Sequence, residues 1–199
     1  MSLRTIKRRR RECKTDYGLR MGLLKSSLPR ITIRKTNKYF IVQVIESSEA
    51  QDKVTFGTTS KDLLEYGWDV KAAGSLKSIS AGYLTGILAA KKIGTGEFII
   101  DLGMAISHKG GRMFSVIAGL IDGGLKIRAN EKVFPPKERL MGEHLDAKVK
   151  DIVAKVKAKL ESVSVGTKTA HTSVSPEDKN EQKKKVTVKT ETKKTGVKK

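Results

Sequence analysis

The chain has 199 residues, with 41 Lys and Arg against 21 Asp and Glu, so its formal net charge is +20. Its single cysteine excludes an intrachain disulfide and a zinc site built from several cysteines, and no apolar run approaches the ~20 residues of a membrane-spanning helix. A charge of this size favours polyanionic partners, because each neutralised phosphate releases condensed counterions.

The positive charge is unevenly distributed along the chain. Residues 1–38 hold 13 basic and 2 acidic side chains, residues 39–161 hold 18 and 15, and residues 162–199 hold 10 and 4. The nearly balanced middle is long enough for one domain with its own core. We therefore predict a basic arm at 1–28, a folded domain at 29–161, and a Lys- and Thr-rich tail at 162–199 that is disordered when free.

The first predicted elements form an antiparallel meander. Apolar residues of the arm have no regular spacing, which predicts an extended segment, with or without helical turns, that orders on a partner. After Pro29, Ile31 and Ile33 alternate with polar residues, and the segment 39–45 is rich in β-branched and aromatic residues. We predict a hairpin with a basic tip, followed by a third short strand at 53–56.

A helix and a parallel strand are predicted next. Ser60 is suited to cap a short helix that would end at Gly67. A longer helix is indicated by apolar residues at intervals of three and four, namely Leu76, Ile79, Tyr83, Ile87 and Ala90. The apolar run 98–102 is typical of a strand in a parallel pair. A strand, a crossover helix and a second strand favour right-handed parallel pairing.

Two further helices complete the predicted domain. The first carries Phe114, Ile117, Ala118 and Ile121 and ends near the glycines at 123 and 124. The second follows two prolines and has an apolar face made of Leu145, Val149, Ile152, Val153, Val156 and Leu160. The predicted fold class is α/β, with a small mixed β-sheet (an N-terminal antiparallel meander plus one parallel strand) packed by helices.

The arm and the hairpin place cations beside aromatic rings, which is typical of proteins that bind RNA phosphates and stack on unpaired bases. The candidate RNA-binding residues of the arm are Arg4, Lys7, Arg8, Arg9, Arg10, Arg11, Lys14, Tyr17 and Arg20. Those of the hairpin are Arg30, Arg34, Lys35, Asn37, Lys38 and Tyr39. Two simpler interpretations stay open: the arginine run as a solvated or nuclear-targeting cluster, and Tyr39 as a residue that only packs on the sheet edge.

A third candidate segment comprises His108, Lys109, Gly110, Gly111 and Arg112. It lies between a predicted strand and a predicted helix, where backbone amides and the helix N-terminus face a bound anion. It differs from a nucleotide-binding P-loop, which requires Gly before the Lys and Ser or Thr after it. The segment therefore predicts an RNA-phosphate site, with a plain strand-to-helix turn as the alternative.

Catalytic and metal-binding alternatives have weaker support. Asp101 ends a strand, a favoured place for catalytic acids in α/β folds, but no motif positions a second acid or histidine beside it. A structural or capping role is preferred. Cys13 lies among arginines without an identifiable base. The histidines are too far apart for a local metal motif. The last helix carries lysines opposite its apolar face and could lie on an anionic membrane, but docking onto its own domain, or onto a neighbouring protein or RNA, is preferred.

Five segments are distinctive in combination. They are AGYLTGILAA at 81–90, KDLLEYGW at 61–68, RLMGEHL at 139–145, the hairpin RKTNKY at 34–39 and the loop GGR at 110–112. By the order and spacing of these segments along the chain, over roughly residues 5–146, the sequence resembles the archaeal and eukaryotic branch of the universal large-subunit ribosomal protein eighteen family.

The resemblance implies a mixed-sheet α/β fold and a structural, non-enzymatic role on the cytoplasmic ribosome. It implies binding to 5S rRNA in the central protuberance, contacts with large-subunit rRNA, and a neighbouring 5S rRNA-binding ribosomal protein, without a cofactor, metal or small-molecule substrate. The hairpin and the 110–112 loop are similar to the family's RNA-contacting elements. The tail from residue 162 matches no family element, and the chain is too short for the eukaryotic C-terminal extension, so the archaeal form fits better.

Two other functions stay open at this point. An enzyme acting on RNA through Asp101 and His108 would lose catalysis on conservative changes there while keeping its RNA affinity. A DNA architectural protein would bind duplex DNA and 5S rRNA with equal affinity at matched salt.

Overall fold

The computed structural model describes residues 7–48, 51–70 and 75–162, which form a five-stranded sheet with surrounding helices. The strands are β1 (Arg30–Lys35), β2 (Phe40–Ser48), β3 (Gln51–Thr59), β4 (Glu97–Asp101) and β5 (Lys126–Ile127). The α-helices are α1 (Arg8–Arg11), α2 (Tyr17–Lys25), α3 (Ile79–Ile93), α4 (Arg112–Asp122), α5 (Lys137–Met141) and α6 (Ala147–Ser162). Short 3-10 helices occupy Ser60–Leu64 and Glu131–Val133. Arg4 and the tail after residue 162 lie outside the described residues, so what the sequence predicts for them stays a prediction.

The sheet has the strand order β3-β2-β1-β4-β5 and combines both kinds of pairing. β1 pairs antiparallel with β2, from Arg30 opposite Ile45 to Lys35 opposite Phe40. β2 pairs antiparallel with β3, while β4 lies parallel to β1. The predicted meander and parallel strand are therefore confirmed. β5, which lies parallel to β4, adds a second parallel pairing that its two residues gave no sequence pattern to predict.

Helix α3 contributes to two hydrophobic cores. One core joins the sheet to α4 and the end of α3, and Ile31, Phe40 and Val116 lie within it. The other joins the rest of α3 to α6, with Leu84 and Val153 among its members. The sequence predicted a single apolar face on α3, but 12 of its 15 residues are buried. The amphipathic prediction was therefore too narrow, because helices cover α3 as well as the sheet.

Glycine allows α3 and α4 to approach closely. A Cβ atom at Gly86 would meet the backbone carbonyl oxygen of Val116, and one at Gly119 would meet that of Tyr83. A backbone atom cannot move aside as the end of a flexible side chain can. The two helices therefore keep their short separation only while both positions lack a side chain.

The sequence predicted Ser60 as the cap of the short helix after β3. This prediction was wrong, because the cap of this 3-10 helix is Thr59. Thr59 and Asp62 form a reciprocal capping box, in which each side chain accepts a hydrogen bond from the other residue's backbone amide. The Ser60 hydroxyl accepts a hydrogen bond from the Phe40 amide at 3.1 Å, which ties this helix to β2. Gly67 has a φ of +98°, as predicted for a residue that ends the turn.

The C-terminal helix α6 begins later than its apolar pattern predicted. Its first residue is Ala147, and Leu145 lies before the helix with an exposed side chain. Val153, Val156 and Leu160 are buried, which confirms the rest of the predicted face. The preceding helix α5 was not predicted, because five residues are too few to show a helical period.

Candidate nucleic-acid interface

The arm contains more regular structure than its sequence predicted. Helix α2 has nine residues and begins after Asp16, whose Oδ1 accepts hydrogen bonds from the Gly18 and Leu19 amides at 2.9 and 3.2 Å. From α2, Arg20 extends to β3, where its Nη2 donates to Asp52 Oδ2 at 2.7 Å. The arm thus has a defined attachment to the outer strand of the sheet.

Asp52 connects this attachment to the interior. Its Oδ1 accepts hydrogen bonds from Arg30 Nη2 at 2.8 Å and from the Ser47 hydroxyl at 2.6 Å. Burial would raise the pKa of the Asp52 carboxyl, but the Ser47 hydroxyl and the Arg30 and Arg20 guanidinium groups together lower it from its ordinary value of 3.8. Arg30 is only 3% exposed. It was a candidate RNA contact, and because the structure places it inside, we leave it out of the contacts proposed below.

The arginine run forms the short helix α1, and all four of its side chains are exposed: Arg8, Arg9, Arg10 and Arg11. Arg8 lies 3.8 Å from Glu12, and Lys14 lies 2.9 Å from the same carboxylate. Within the described residues, no carboxylate pairs with the other three arginines. Most of the positive charge of α1 is therefore free to meet an external anion.

The turn between β1 and β2 is held by Thr36. Its hydroxyl accepts hydrogen bonds from the amides of Tyr39 at 3.0 Å and Lys38 at 3.3 Å. The side chains of Lys35, Asn37 and Lys38 are all exposed around this turn. The hairpin tip therefore presents two cations and an amide from a backbone that is already ordered.

Both aromatic candidates already contact a lysine. Lys7 Nζ lies 4.6 Å from the centre of the Tyr17 ring, and Lys61 Nζ lies 4.6 Å from that of Tyr39. Both rings are partly buried, so a base could stack only on the remaining exposed part. Lys61 belongs to the 3-10 helix after β3, and no local sequence pattern pairs it with the hairpin.

Asp101 at the end of β4 holds the hairpin and the following loop together. Its carboxylate accepts hydrogen bonds from Arg34 Nη2 at 3.1 Å and from the Gly103 amide at 2.7 Å. Its backbone oxygen also accepts from Arg34 Nη1 at 2.7 Å. Gly103 has a φ of +62° and lies against the guanidinium of Arg34, so a side chain there would clash. These contacts confirm the predicted structural role of Asp101.

The segment His108 to Arg112 forms an exposed turn into α4. The side chains of His108, Lys109 and Arg112 are exposed. The Gly110 amide donates to the Val133 carbonyl, and the Gly111 amide donates to the His108 carbonyl, both at 2.9 Å. Those two amides are therefore not available to an anion. Because α4 has no side-chain N-cap, its first-turn amides are the backbone donors that an anion could use here.

The structure brings the arm, the hairpin and the start of the loop together. Arg9 and Lys14 from the arm line one cleft with Arg34 and Gly103. Residues 108–112 are not among those that line the cleft. The cations of the arm and of the hairpin thus belong to one connected surface, while the turn into α4 is a separate part of the interface.

The part of the chain that the structure describes has neither a metal-ligand cluster nor a membrane-spanning helix. Within residues 7–48, 51–70 and 75–162, no three His, Cys, Asp or Glu side chains are grouped as metal ligands would be. Among the helices of these same residues, none is both long enough and apolar enough to cross a membrane.

Comparison with known proteins identifies the family. The model of the family described as "Ribosomal large subunit proteins 60S L5, and 50S L18" matches residues 2–97, which include the arm, the meander and α3. The large ribosomal subunit protein uL18 of Korarchaeum cryptofilum is 43% identical over 141 residues, which are 69% of this chain and 70% of that protein. The chain belongs to the uL18 family. The resemblance predicted from the sequence motifs is thereby confirmed.

Other uL18 proteins match over larger shares of both chains. That of Methanoculleus marisnigri is 38% identical over 164 residues, which are 81% of this chain and 91% of the relative. That of Methanoregula boonei is 39% identical over 155 residues, which are 75% and 87% respectively. The part matched by the uL18 family model includes the arm and the hairpin, whereas the turn at 108–112 lies beyond it.

Proposed function

We propose that this uL18-family chain binds 5S rRNA and helps to attach it to the large-subunit rRNA in the central protuberance of the cytoplasmic ribosome. Family membership makes it a structural, non-enzymatic component of the large ribosomal subunit. A neighbouring ribosomal protein that also binds 5S rRNA would complete the assembly. The relatives named above support an archaeal type of ribosome.

The observation that carries the proposal is an exposed, ordered basic surface. This basic surface is defined by the residues Arg8, Arg9, Arg10, Arg11, Lys14, Lys35, Asn37 and Lys38. It combines the arm with the hairpin tip. The Arg20–Asp52 ion pair of 2.7 Å attaches the arm to the outer strand β3, and Arg9 and Lys14 line one cleft with Arg34 of β1. Contacts within the chain hold both parts in place, which lowers the conformational entropy that binding would cost.

Phosphate contacts would dominate the affinity. Guanidinium and ammonium groups neutralise RNA phosphates, which positions the protein without reading the sequence. Selectivity for 5S rRNA would come from its three-dimensional shape and its unpaired bases, since side chains cannot read the narrow major groove of an RNA helix. This agrees with a surface rich in arginine and lysine, whose charges bind phosphates whatever the base.

The turn into α4 would supply a second anion site. Lys109 and Arg112 are exposed at the N-terminus of the helix, where the helix dipole favours negative charge. The uncapped first-turn amides would donate to a phosphate oxygen between these cations. This site needs one phosphate of the RNA backbone and no particular base.

A competition titration tests the proposed function. The full chain would be titrated with labelled 5S rRNA against tRNA and duplex DNA of matched length at several salt concentrations. We expect 5S rRNA to be preferred by orders of magnitude near physiological salt. Equal competition by all three nucleic acids would reduce the chain to a general polyanion binder and would contradict the proposal.

A further inference from the structure

A cleft of about 130 Å³ lies between the arm and the ends of β1 and β4. Its lining includes charged residues of the basic surface, but also the apolar side chains of Leu19, Leu23 and Met104. Leu19 is 48% exposed and Met104 is 55% exposed. A phosphate gains nothing from apolar walls, so the cleft has a feature that phosphate binding alone does not explain.

The apolar wall is built by one face of α2. Leu19 and Leu23 are four residues apart in the helix, so their side chains lie next to each other along the same face. Asp16 and Arg20 also line the cleft from this face. Met21 lies two residues from Leu19, which places it on the opposite side of the helix, and it is not among the lining residues.

The polar part of the cleft is positively charged. Asp101 is neutralised by Arg34 at 3.1 Å, and the Asp16 carboxylate accepts hydrogen bonds from the amides of α2. Within the described residues, Arg9 has a hydrogen bond to the Thr15 hydroxyl but no carboxylate partner. Lys14 is already paired with Glu12 at 2.9 Å, so Arg9 is the cation that leaves positive charge beside the apolar wall.

We propose that this cleft takes one unpaired nucleotide of the bound RNA. Its base would lie against Leu19, Leu23 and Met104, and its phosphate would be held by Arg9 and Lys14. The small volume suits a single planar base and excludes a paired helix. Unpaired bases splayed out of RNA are bound through their ring faces and through cations on the backbone, and here aliphatic side chains would take the place of the aromatic rings that commonly contact the base. The inference rests on the proposed function and adds what this cleft would recognise in 5S rRNA, namely one unpaired nucleotide.

A matched pair of variants tests the proposal. Leu19→Glu places a negative charge in the cleft, and Met21→Glu makes the same change of charge on the opposite side of α2. Met21 is 59% exposed, so both positions tolerate a polar side chain. We expect Leu19→Glu to weaken 5S rRNA binding about tenfold, because it removes an apolar contact with the base and places a carboxylate near the phosphate. Met21→Glu should cause only the small loss that its charge produces at any site on this surface.

Chemical probing of the RNA gives the second readout. Dimethyl sulfate and carbodiimide modify unpaired bases that are accessible to solvent, so a base held in the cleft should be protected in the wild-type complex. Leu19→Glu should restore its reactivity, whereas Met21→Glu should leave it protected. If Leu19→Glu unfolds α2, Met104→Glu provides the same test from the other side of the cleft, with Ile106→Glu as its exposed control.

Two results would overturn the proposal in different ways. If the wild-type chain prefers 5S rRNA but the two variants of α2 have equal affinities and equal probing patterns, the cleft is not occupied and the proposed function stands. If the wild-type chain shows no preference for 5S rRNA in the competition titration, the proposed function fails and the cleft proposal fails with it.

Discussion

A single carboxylate, that of Asp52, connects three parts of this uL18-family protein. It lies on β3, pairs with Arg20 of the arm at 2.7 Å and pairs with the buried Arg30 of β1 at 2.8 Å. Arg30 Nη1 is 4.0 Å from Asp101, so Asp52 is its shorter ion pair. The position of the basic arm therefore depends on a residue that need not contact RNA.

Replacing Asp52 should destabilise the fold. Asp52→Asn keeps the shape of the side chain but leaves the Arg30 charge buried with a weaker partner. Breaking a fully buried pair costs about 3–5 kcal/mol. Because the Asp52 side chain is 27% exposed, we expect a smaller loss, about 2 kcal/mol, in the free energy of unfolding measured with urea. Asp151→Asn, at an exposed position of α6, should change it by less than about 0.5 kcal/mol. Equal effects would contradict the role of Asp52.

The stability loss caused by Asp52→Asn should depend on pH. The pKa of Asp52 in the folded state is below its ordinary value of 3.8, so the ionised form stabilises the fold. This contribution is complete above about pH 5 and is lost progressively as the pH falls through the folded pKa. The difference in unfolding free energy between wild type and Asp52→Asn should therefore shrink as the pH is lowered from about 5 to 2. A difference that stays constant would show that the charge of Asp52 is not what stabilises the fold.

The cations of the turn into α4 should affect binding without affecting stability. Lys109 and Arg112 are exposed, so replacing both by Ala should leave the thermal unfolding midpoint near that of wild type. If each contacts one phosphate, the log-log salt slope of 5S rRNA binding should fall by roughly 1.5. Replacing Lys148 and Lys155 of α6 removes the same charge and serves as the control. If both pairs give the same change, the turn has no specific role in binding.

At the scale of elements, the packing of α3 on α4 sets how much apolar surface the domain can bury. The Cβ of an alanine at position 119 would lie against the backbone oxygen of Tyr83. Gly119→Ala should therefore lower the unfolding free energy by about 1–3 kcal/mol, because the helices must separate. Gly22→Ala in α2 meets no atom within 4 Å, so it should be neutral or stabilise that helix by up to about 1 kcal/mol. Urea unfolding of both variants checks this, and a stable Gly119→Ala would show that the helices can adjust.

The elements that the sequence predicted are those with a repeating pattern. Alternation along β1 and apolar spacing along α3 and α4 are local properties, and all three elements are present. The burial of α3 on nearly every side was missed, since it depends on which helices pack against it. β5 and α5 were missed because they are too short for a strand or helix period to repeat along them.

The candidate interface was predicted in composition more than in geometry. The exposed arginines of α1 and the lysines of the hairpin tip could be named from charge and position alone. The roles of Asp52 and Lys61 could not, because their contacts with Arg20 and Tyr39 join residues far apart in the sequence. Arg30 shows the converse, since a cation beside a basic hairpin turned out to be buried.

At the scale of the whole molecule, the positive charge that is concentrated in the first 38 residues is also concentrated on one part of the surface, the arm and the hairpin tip. The 13 basic residues of positions 1–38 include those of the basic surface, while the domain that follows is nearly balanced. A polyanion should therefore approach with its strongest attraction toward the arm and the hairpin tip. The salt dependence of binding measures how many of these cations reach phosphates.

Removing the charge of α1 should flatten that salt dependence. Arg8, Arg9, Arg10 and Arg11 are all exposed, and alanine has the highest helix propensity, so replacing the four by Ala should leave the domain folded. If all four contact phosphates, the log-log slope for 5S rRNA should fall by roughly 3, since each contact contributes about 0.7 to 0.9. The measurement is a series of binding titrations from low to physiological salt.

The control for this variant lies on α6. Replacing the exposed lysines 148, 150, 155 and 159 by Ala removes the same four charges from a different helix. Long-range attraction depends on net charge, so it should weaken similarly in both variants, whereas released counterions depend on which cations touch phosphates. A slope that falls for α1 but not for α6 places the phosphates at the arm. Equal slopes would mean that α1 acts only through the net charge of the molecule, and the arm would then have no direct contact with 5S rRNA.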